Sequence, residues 1–197
     1  IKGKKHNGNN FIKEAIKNGA KTIISDKKKE GYTNSILYLH SKNPRSLMAH
    51  AATKFYRNKP NNLVAVTGTN GKSSIVNFYY QILRLNKLKC STIGTLGVSS
   101  DSINFETNNT TPNSILLNKT LSRLKHAKID NVILEASSHG LDQKRLDGLK
   151  FDIAIFSNFT RDHLDYHKSF KNYFNAKMIL FERLLKKKGL VIFDKDI

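Results

Sequence analysis

The chain has 197 residues, of which 39% are hydrophobic, and this content supports a buried core and excludes a disordered tail. No apolar run reaches the roughly 20 residues that a membrane-spanning helix requires, and a single cysteine without a secretory signal leads us to expect a cytoplasmic protein. The 34 Lys and Arg against 15 Asp and Glu give a net charge of +19, which favours anionic partners, but the lysines are too scattered to indicate a specific nucleic-acid surface.

The first sixty residues predict a small α/β unit. Hydrophobic spacing and turn residues indicate two helices and two strands, at residues 9–18, 44–57, 21–25 and 35–39. The polar, helix-breaking segment 59–62 then interrupts the pattern. We therefore place a domain boundary there, with one domain over residues 1–62 and a second over residues 63–197.

The second domain predicts strands that alternate with helices. Strands are expected at residues 63–67, 131–136, 151–157 and 189–193, and helices at residues 72–86, 113–127 and 169–187. Thr111 is expected to cap the second of these helices, with Pro112 at its first position. This order is typical of an α/β fold with a mostly parallel sheet flanked by helices, in which ligands bind beyond the carboxyl ends of the strands.

A glycine-rich segment, TGTNGKSS, joins strand 63–67 to the following helix. Backbone amides and a helix N-terminus converge at such a junction, which suits a phosphate. Lys72 would neutralise terminal phosphates, and the Ser73 hydroxyl would ligate Mg²⁺. The segment departs from the general P-loop pattern because Val66 stands at the position of the earlier glycine, and two residues rather than four separate Gly68 from Gly71.

Three further residues attract attention because of where they stand. Glu135 ends one predicted buried strand and His163 closely follows the next, so both are candidates for a metal–nucleotide site, although each alone is also typical of an ordinary surface residue. Lys177 shares a helix face with Tyr173 and Phe181. That position is unusual for a lysine, although an extended side chain that reaches solvent explains it equally well.

Five segments, TGTNGKSS, ETNNTTP, LEASSHGLDQKR, SNFTRDHLDYH and YFNAK, resemble the Mur ligase family in this order and at similar spacing. The resemblance covers the whole chain and points to members that add the third amino acid to a UDP-muramyl dipeptide in peptidoglycan synthesis. It implies part of a UDP-sugar-binding domain at residues 1–62 and an incomplete central ATP-binding domain at residues 63–197. The family's C-terminal domain would be absent, so we expect this fragment alone to be inactive.

The resemblance also implies roles for individual residues. The residues that would bind ATP are Gly68, Thr69, Asn70, Gly71, Lys72, Ser73 and Ser74. The residues that would contact the UDP-muramyl dipeptide are Asn109, Thr110, Thr111, Ser137, Gln143 and Arg145. The catalytic group would be Lys72, Glu135, His163 and Lys177, and the Mg²⁺ ligands would be Ser73, Glu135, His163 and Lys177, the last as a carbamate. Lys4, Lys5 and His6 align with a substrate loop of the first domain but differ from the residues usual there.

The function implied is ATP-dependent amide-bond formation through an acyl phosphate. The incoming amino acid would be diaminopimelate or lysine, and we expect a monomer. Three alternatives remain open at this point: a folylpolyglutamate-synthase-like ligase, a basic P-loop ATPase acting on nucleic acid, and a nucleotide-binding remnant without chemistry of its own. Steeply salt-dependent binding of DNA or RNA would favour the second of these.

Overall fold

A computed structural model of the chain describes residues 7–195, so Lys4, Lys5 and His6 lie outside the described residues. The chain divides into two compact units, one ending at Met48 and the other beginning at Ala49. This division falls inside helix α2 (Pro44–Phe55), before the polar segment at which we placed the domain boundary. The boundary between functional domains at residue 62 stays a prediction.

The first unit contains a three-stranded sheet with β3 at its centre. Its elements are a 3₁₀ turn (Gly8–Phe11), α1 (Ile12–Lys17), β1 (Thr22–Ser25), β2 (Gly31–Thr33) and β3 (Ile36–His40). Strand β3 pairs in parallel with β1 and antiparallel with β2. The sequence did not predict β2, because its three residues are all exposed and carry no hydrophobic alternation.

The second unit contains a six-stranded sheet in the order β6-β5-β7-β4-β8-β9, in which only β6 runs antiparallel to its neighbour. Its elements after α2 are β4 (Asn62–Thr67), α3 (Lys72–Leu85), β5 (Cys90–Gly94), β6 (Gly97–Ser100), α4 (Ser114–His126), β7 (Asn131–Glu135), α5 (Ser138–Asp142), β8 (Phe151–Phe156), α6 (Leu164–His167), α7 (Phe170–Ile179) and β9 (Leu185–Phe193). This architecture confirms the predicted fold class.

Strand β4 is central in this sheet and is buried from Leu63 to Thr67, as its continuous apolar sequence predicts. Helix α3 covers one face through Val76, and helix α4 packs on the other. Val66 pairs with Glu135 of β7, and Thr67 pairs with Phe156 of β8. The carboxyl ends of β4, β7 and β8 therefore lie side by side, and the loops that follow them meet at one edge of the sheet.

Two local predictions were wrong. The helix expected over residues 169–187 ends at Ile179, and a single π-helical turn (Leu180–Leu184) leads into β9. Strand β9 begins where Leu185 pairs with Phe151, and its register then shifts before Leu190 pairs with Ile153. The lysines lie in this irregular stretch, where Lys186 forms an ion pair with Asp152. Helix α4 begins after Asn113, whose side chain accepts a hydrogen bond from the Leu116 amide, so Thr111 is not its cap.

No helix within residues 7–195 is long and apolar enough to cross a bilayer.

Candidate functional site

The glycine-rich loop between β4 and α3 lines a cavity of about 380 Å³ at the edge of the sheet. Gly68 and Gly71 have φ values of 142° and 78°, in the region where residues with a Cβ are strained. At Gly68 a Cβ would also lie 1.9 Å from Ser157 Oγ. Both glycines are therefore required by the shape of the loop, the first by close packing against the segment after β8.

The segment after β8 holds the loop through backbone hydrogen bonds. The Thr69 amide donates to the Asn158 carbonyl oxygen at 3.0 Å, and the Asn70 amide donates to Asn158 Oδ1 at 2.9 Å. These contacts occupy two amides of the glycine-rich loop. The first-turn amides of α3, for which the helix itself supplies no acceptor, are suited to bind a phosphate.

Lys72 begins α3 and folds back over the loop. Its Nζ donates to the carbonyl oxygens of Gly68, at 3.0 Å, and Thr69, at 2.7 Å. Partial burial lowers the pKa of Lys72, and the negative charges of Glu135 and Asp162 oppose that effect. The ammonium group therefore stands at the cavity, with two carboxylates near enough to favour its charge.

Glu135 ends β7 and is buried, with 2% of its surface exposed. Its Oε1 accepts hydrogen bonds from Ser73 Oγ and from the Thr95 amide, both at 2.9 Å. Gly94 makes this position possible, because a Cβ there would lie 2.2 Å from Glu135 Oε1. In the part of the chain that the structure describes, no lysine or arginine forms an ion pair with Glu135.

These features fit a bound magnesium ion. Mg²⁺ prefers oxygen ligands and usually keeps several waters while it binds one or two carboxylates and the phosphates of a substrate. Glu135 and Ser73 supply a buried carboxylate and a hydroxyl that already lie together. Among residues 7–195 no group of three or more His, Cys, Asp or Glu side chains is placed to hold a metal ion.

Lys177 is buried in α7, with 1% of its surface exposed. Its Nζ donates to the Gly68 carbonyl oxygen at 2.6 Å and lies 4.4 Å from the centroid of the Tyr173 ring. Burial, with the nearby positive charge of Lys72 as a second cause, lowers the pKa of Lys177 to about 7, although Asp162 opposes the shift. The side chain therefore does not extend to solvent, which was the alternative left open by the sequence.

His163 lies at the mouth of the same cavity and is half exposed. Its backbone is left-handed, with φ at 52°, and its amide donates to Asp162 Oδ1 at 2.7 Å. The His163 ring packs edge-on against that of His139, with 4.8 Å between centroids. His163 thus lines the cavity that also contains Ser73, Glu135 and Lys177.

A second cavity of about 550 Å³ adjoins the first, because both are lined by Thr95, Thr110, Ser137 and His163. The structure brings to it all six residues that the resemblance assigns to the muramyl substrate: Asn109, Thr110, Thr111, Ser137, Gln143 and Arg145. Arg145 donates to the Thr111 carbonyl oxygen and, at 2.9 Å, to Gln143 Oε1. Thr111 Oγ1 donates to the Glu135 carbonyl oxygen at 2.7 Å, so this cavity is tied to the end of β7.

Three residues that shape the first cavity were not predicted from the sequence. Asn158 holds the glycine-rich loop at residues 68–71, called the phosphate loop below. Thr95 orients Glu135, and Asp162 supplies negative charge near the partly buried Lys72 and the buried Lys177. Asn158 and Asp162 follow the carboxyl end of β8, so the strand-end rule that selected His163 could have found them. Thr95 follows β5, a strand that the sequence did not predict.

Comparison with known proteins places the chain in a family. The model of the Mur ligase middle domain matches residues 66–197. The chain belongs to the Mur ligase family. The resemblance seen in the sequence motifs is thereby confirmed.

Two similar proteins within this family carry the name of one ligase. The UDP-N-acetylmuramoyl-L-alanyl-D-glutamate–2,6-diaminopimelate ligase of Rickettsia montanensis is 41% identical over 201 residues, covering 100% of this chain and 42% of the relative. A solved structure of a ligase with the same name matches with a TM-score of 0.80 and 32% identity, over 95% of this chain and 37% of the other. The chain therefore spans less than half the length of the relatives that it matches.

A more distant solved structure shares the fold alone. Mycobacterium tuberculosis folylpolyglutamate synthase, complexed with ADP, matches with a TM-score of 0.61 and 12% identity, over 77% of this chain and 41% of the other. At this identity the match describes the shared architecture of the domain.

Proposed function

We propose that the full-length protein containing this chain is an ATP-dependent amide ligase that joins diaminopimelate to UDP-N-acetylmuramoyl-L-alanyl-D-glutamate. The observation that carries the proposal is the pair of adjoining cavities at one edge of the sheet. The first cavity is lined by the phosphate loop with Glu135, His163 and Lys177, and the second is lined by the six candidate substrate residues. Residues 1–62 would belong to the UDP-sugar-binding domain.

The reaction would proceed through an acyl phosphate. The side-chain carboxylate of D-glutamate attacks the γ-phosphorus of ATP, and ADP leaves. The amine of diaminopimelate then attacks the acyl carbon, loses a proton, and displaces inorganic phosphate as the amide forms. Most of the catalysis would come from holding anionic reactants together and offsetting their charge.

The phosphate loop and the start of α3 would hold the nucleotide and offset the charge of its phosphates. The first-turn amides of α3 and the Lys72 ammonium would bind the terminal phosphates, since all line the same cavity. Ser73 and Glu135 would hold Mg²⁺, which offsets charge on the phosphates when bound. His163 would contribute a further ligand from the loop after β8.

Lys177 would act after reaction with CO₂. Its neutral amine nitrogen attacks the carbon of CO₂ and loses a proton, which leaves an anionic carbamate able to bind a second Mg²⁺. Support comes from the burial of this side chain and its pKa of about 7, since a substantial neutral fraction is then present near neutral pH. A carbamate there would also neutralise the charge of Lys72.

The second cavity would bind the muramyl dipeptide. Arg145 is suited to bind a carboxylate because its guanidinium group offers several donors in one plane. Gln143 holds one edge of that guanidinium, and Thr110 lies where the two cavities meet. This arrangement would bring the substrate carboxylate toward the phosphate loop.

An isotope experiment tests the mechanism and the substrate class together. The full-length protein is incubated with ATP, Mg²⁺, diaminopimelate and muramyl dipeptide labelled with ¹⁸O in the glutamate side-chain carboxylate. We expect one labelled oxygen to appear in inorganic phosphate, because the acyl phosphate breaks at its acyl carbon. Unlabelled phosphate together with amide product would contradict an acyl-phosphate intermediate. In a parallel reaction with folate and glutamate in place of these substrates, turnover would favour the folylpolyglutamate alternative.

A further inference from the structure

Tyr173 lies on α7 one turn before Lys177 and contacts both that lysine and the phosphate loop. Its hydroxyl lies 3.2 Å from Thr69 Oγ1, and Lys177 Nζ lies over its ring. Tyr173 is as deeply buried as Lys177. We propose that Tyr173 is a positioning residue that fixes the phosphate loop for nucleotide binding, a role that rests on the proposed function because it assigns the loop to ATP.

The hydrogen bonds of Thr69 determine what Tyr173 does. Thr69 Oγ1 donates to the Thr160 carbonyl oxygen at 3.1 Å and accepts from the Thr160 amide at 3.0 Å. A hydroxyl has one donor and two acceptor positions, so one acceptor position remains, and the Tyr173 hydroxyl fills it. If that hydroxyl is removed, a buried lone pair of Thr69 loses its only remaining donor.

The ring of Tyr173 is fixed in place by aromatic neighbours. The Phe159 ring stacks on it with 5.4 Å between centroids, and Phe159 in turn stacks on Phe170 at 4.3 Å. The His167 ring packs against Tyr173 at 5.3 Å. Because the ring cannot readily shift, its hydroxyl offers Thr69 a fixed point of attachment.

Helix α7 thus contacts two successive residues of the phosphate loop. Lys177 Nζ donates to the Gly68 carbonyl oxygen, and Tyr173 donates to the Thr69 side chain. The same loop residues lead directly into the first turn of α3, whose amides are suited to bind a phosphate. Tyr173 therefore sets the position of those amides relative to Lys177.

The test measures ADP binding to the full-length protein by isothermal titration calorimetry. We expect Tyr173→Phe to weaken ADP binding about fivefold, the effect of one hydrogen bond. Thr69→Val removes the same bond together with the two hydrogen bonds to Thr160, so it should weaken binding at least as much as Tyr173→Phe, and it keeps the test available if the first variant does not fold. The double variant should be no weaker than Thr69→Val alone, since both changes remove the same bond.

Tyr79→Phe provides the matched control, because Tyr79 lies on α3 outside the loop and packs against the sheet. It should bind ADP like the parent protein. A purely structural role for Tyr173 would lower the thermal midpoint of the ligand-free protein and leave ADP affinity within twofold of the parent, and that result would overturn the proposal. The proposal would also be overturned if the loss of ADP affinity in the double variant equalled the product of the losses in the two single variants. A parent protein that binds no ADP would overturn the proposed function as well, so the two failures are distinct.

Discussion

Replacing Lys177 by methionine tests whether a buried lysine is kept in this domain at a cost in stability. Methionine has a similar length and apolar stem but carries no charge. In the folded chain the pKa of Lys177 is about 7, against an ordinary value of 10.5, because burial disfavours the ammonium form. The unfolded chain therefore binds more protons than the folded chain between these two values, and stability rises with pH across that window.

The size of the effect follows from the same pKa values. At 1.36 kcal/mol for each pKa unit, the difference between 10.5 and about 7 corresponds to about 5 kcal/mol of lost stability at pH 6. At pH 9 the loss falls to about 2 kcal/mol, because the folded amine is neutral and the unfolded amine is closer to its own pKa. Losing the hydrogen bond to Gly68 costs about 1 kcal/mol at either pH. We therefore expect Lys177→Met to raise the free energy of unfolding by about 4 kcal/mol at pH 6 and by about 1 kcal/mol at pH 9.

The measurement is pulsed hydrogen exchange with mass spectrometry over a urea series, in buffer freed of CO₂. Peptides from β4, β8 and α7 report the unfolding of this domain within the full-length protein. Lys171→Met is the matched control, since Lys171 is exposed on the same helix, and it should change stability little at either pH. If Lys177→Met raised the free energy of unfolding by the same amount at pH 6 and pH 9, or lowered it at both, the explanation from burial of the ammonium would be refuted.

Three further predictions concern activity of the full-length protein. Lys72→Ala should abolish ATP-dependent ligation and leave the circular dichroism spectrum unchanged; a folded variant with near-normal turnover would disprove the phosphate-loop assignment. Gly94→Ala should displace the Glu135 carboxylate and raise the Mg²⁺ concentration for half-maximal rate about tenfold, and an unchanged Mg²⁺ titration would argue against Glu135 as a ligand. Lys177→Ala should lose activity that added acetate partly restores, whereas unaltered activity would exclude the carbamate role.

The part of the site nearest β4 could be predicted from the sequence because its signals are local. A continuous apolar strand, two glycines and GKS at a helix start describe β4, the loop and α3 within one short segment. Glu135 was found by the same reasoning, since it directly follows the apolar run Val132, Ile133 and Leu134 of β7. In each case the neighbouring residues alone determine the local structure.

The features of the fold and the site that the sequence did not predict depend on contacts between distant segments. Thr95 orients Glu135 only because β5 lies next to β7, and four of the five residues of β5 are small or polar, which leaves little hydrophobic signal. Asn158 holds the phosphate loop only because β8 lies next to β4. The α-helix expected through residue 187 ended at Ile179, because a π-helical turn follows it and Leu185 then pairs with Phe151 of β8, a contact between distant segments.

The most direct test of the account is the ligation reaction itself. The full-length protein is given ATP, Mg²⁺ and diaminopimelate, with and without UDP-N-acetylmuramoyl-L-alanyl-D-glutamate, and the products are followed by mass spectrometry. We expect UDP-muramyl tripeptide and ADP in equal amounts, with no ADP beyond background when the dipeptide is left out. ADP release that does not depend on the dipeptide, without tripeptide, would contradict the proposed function.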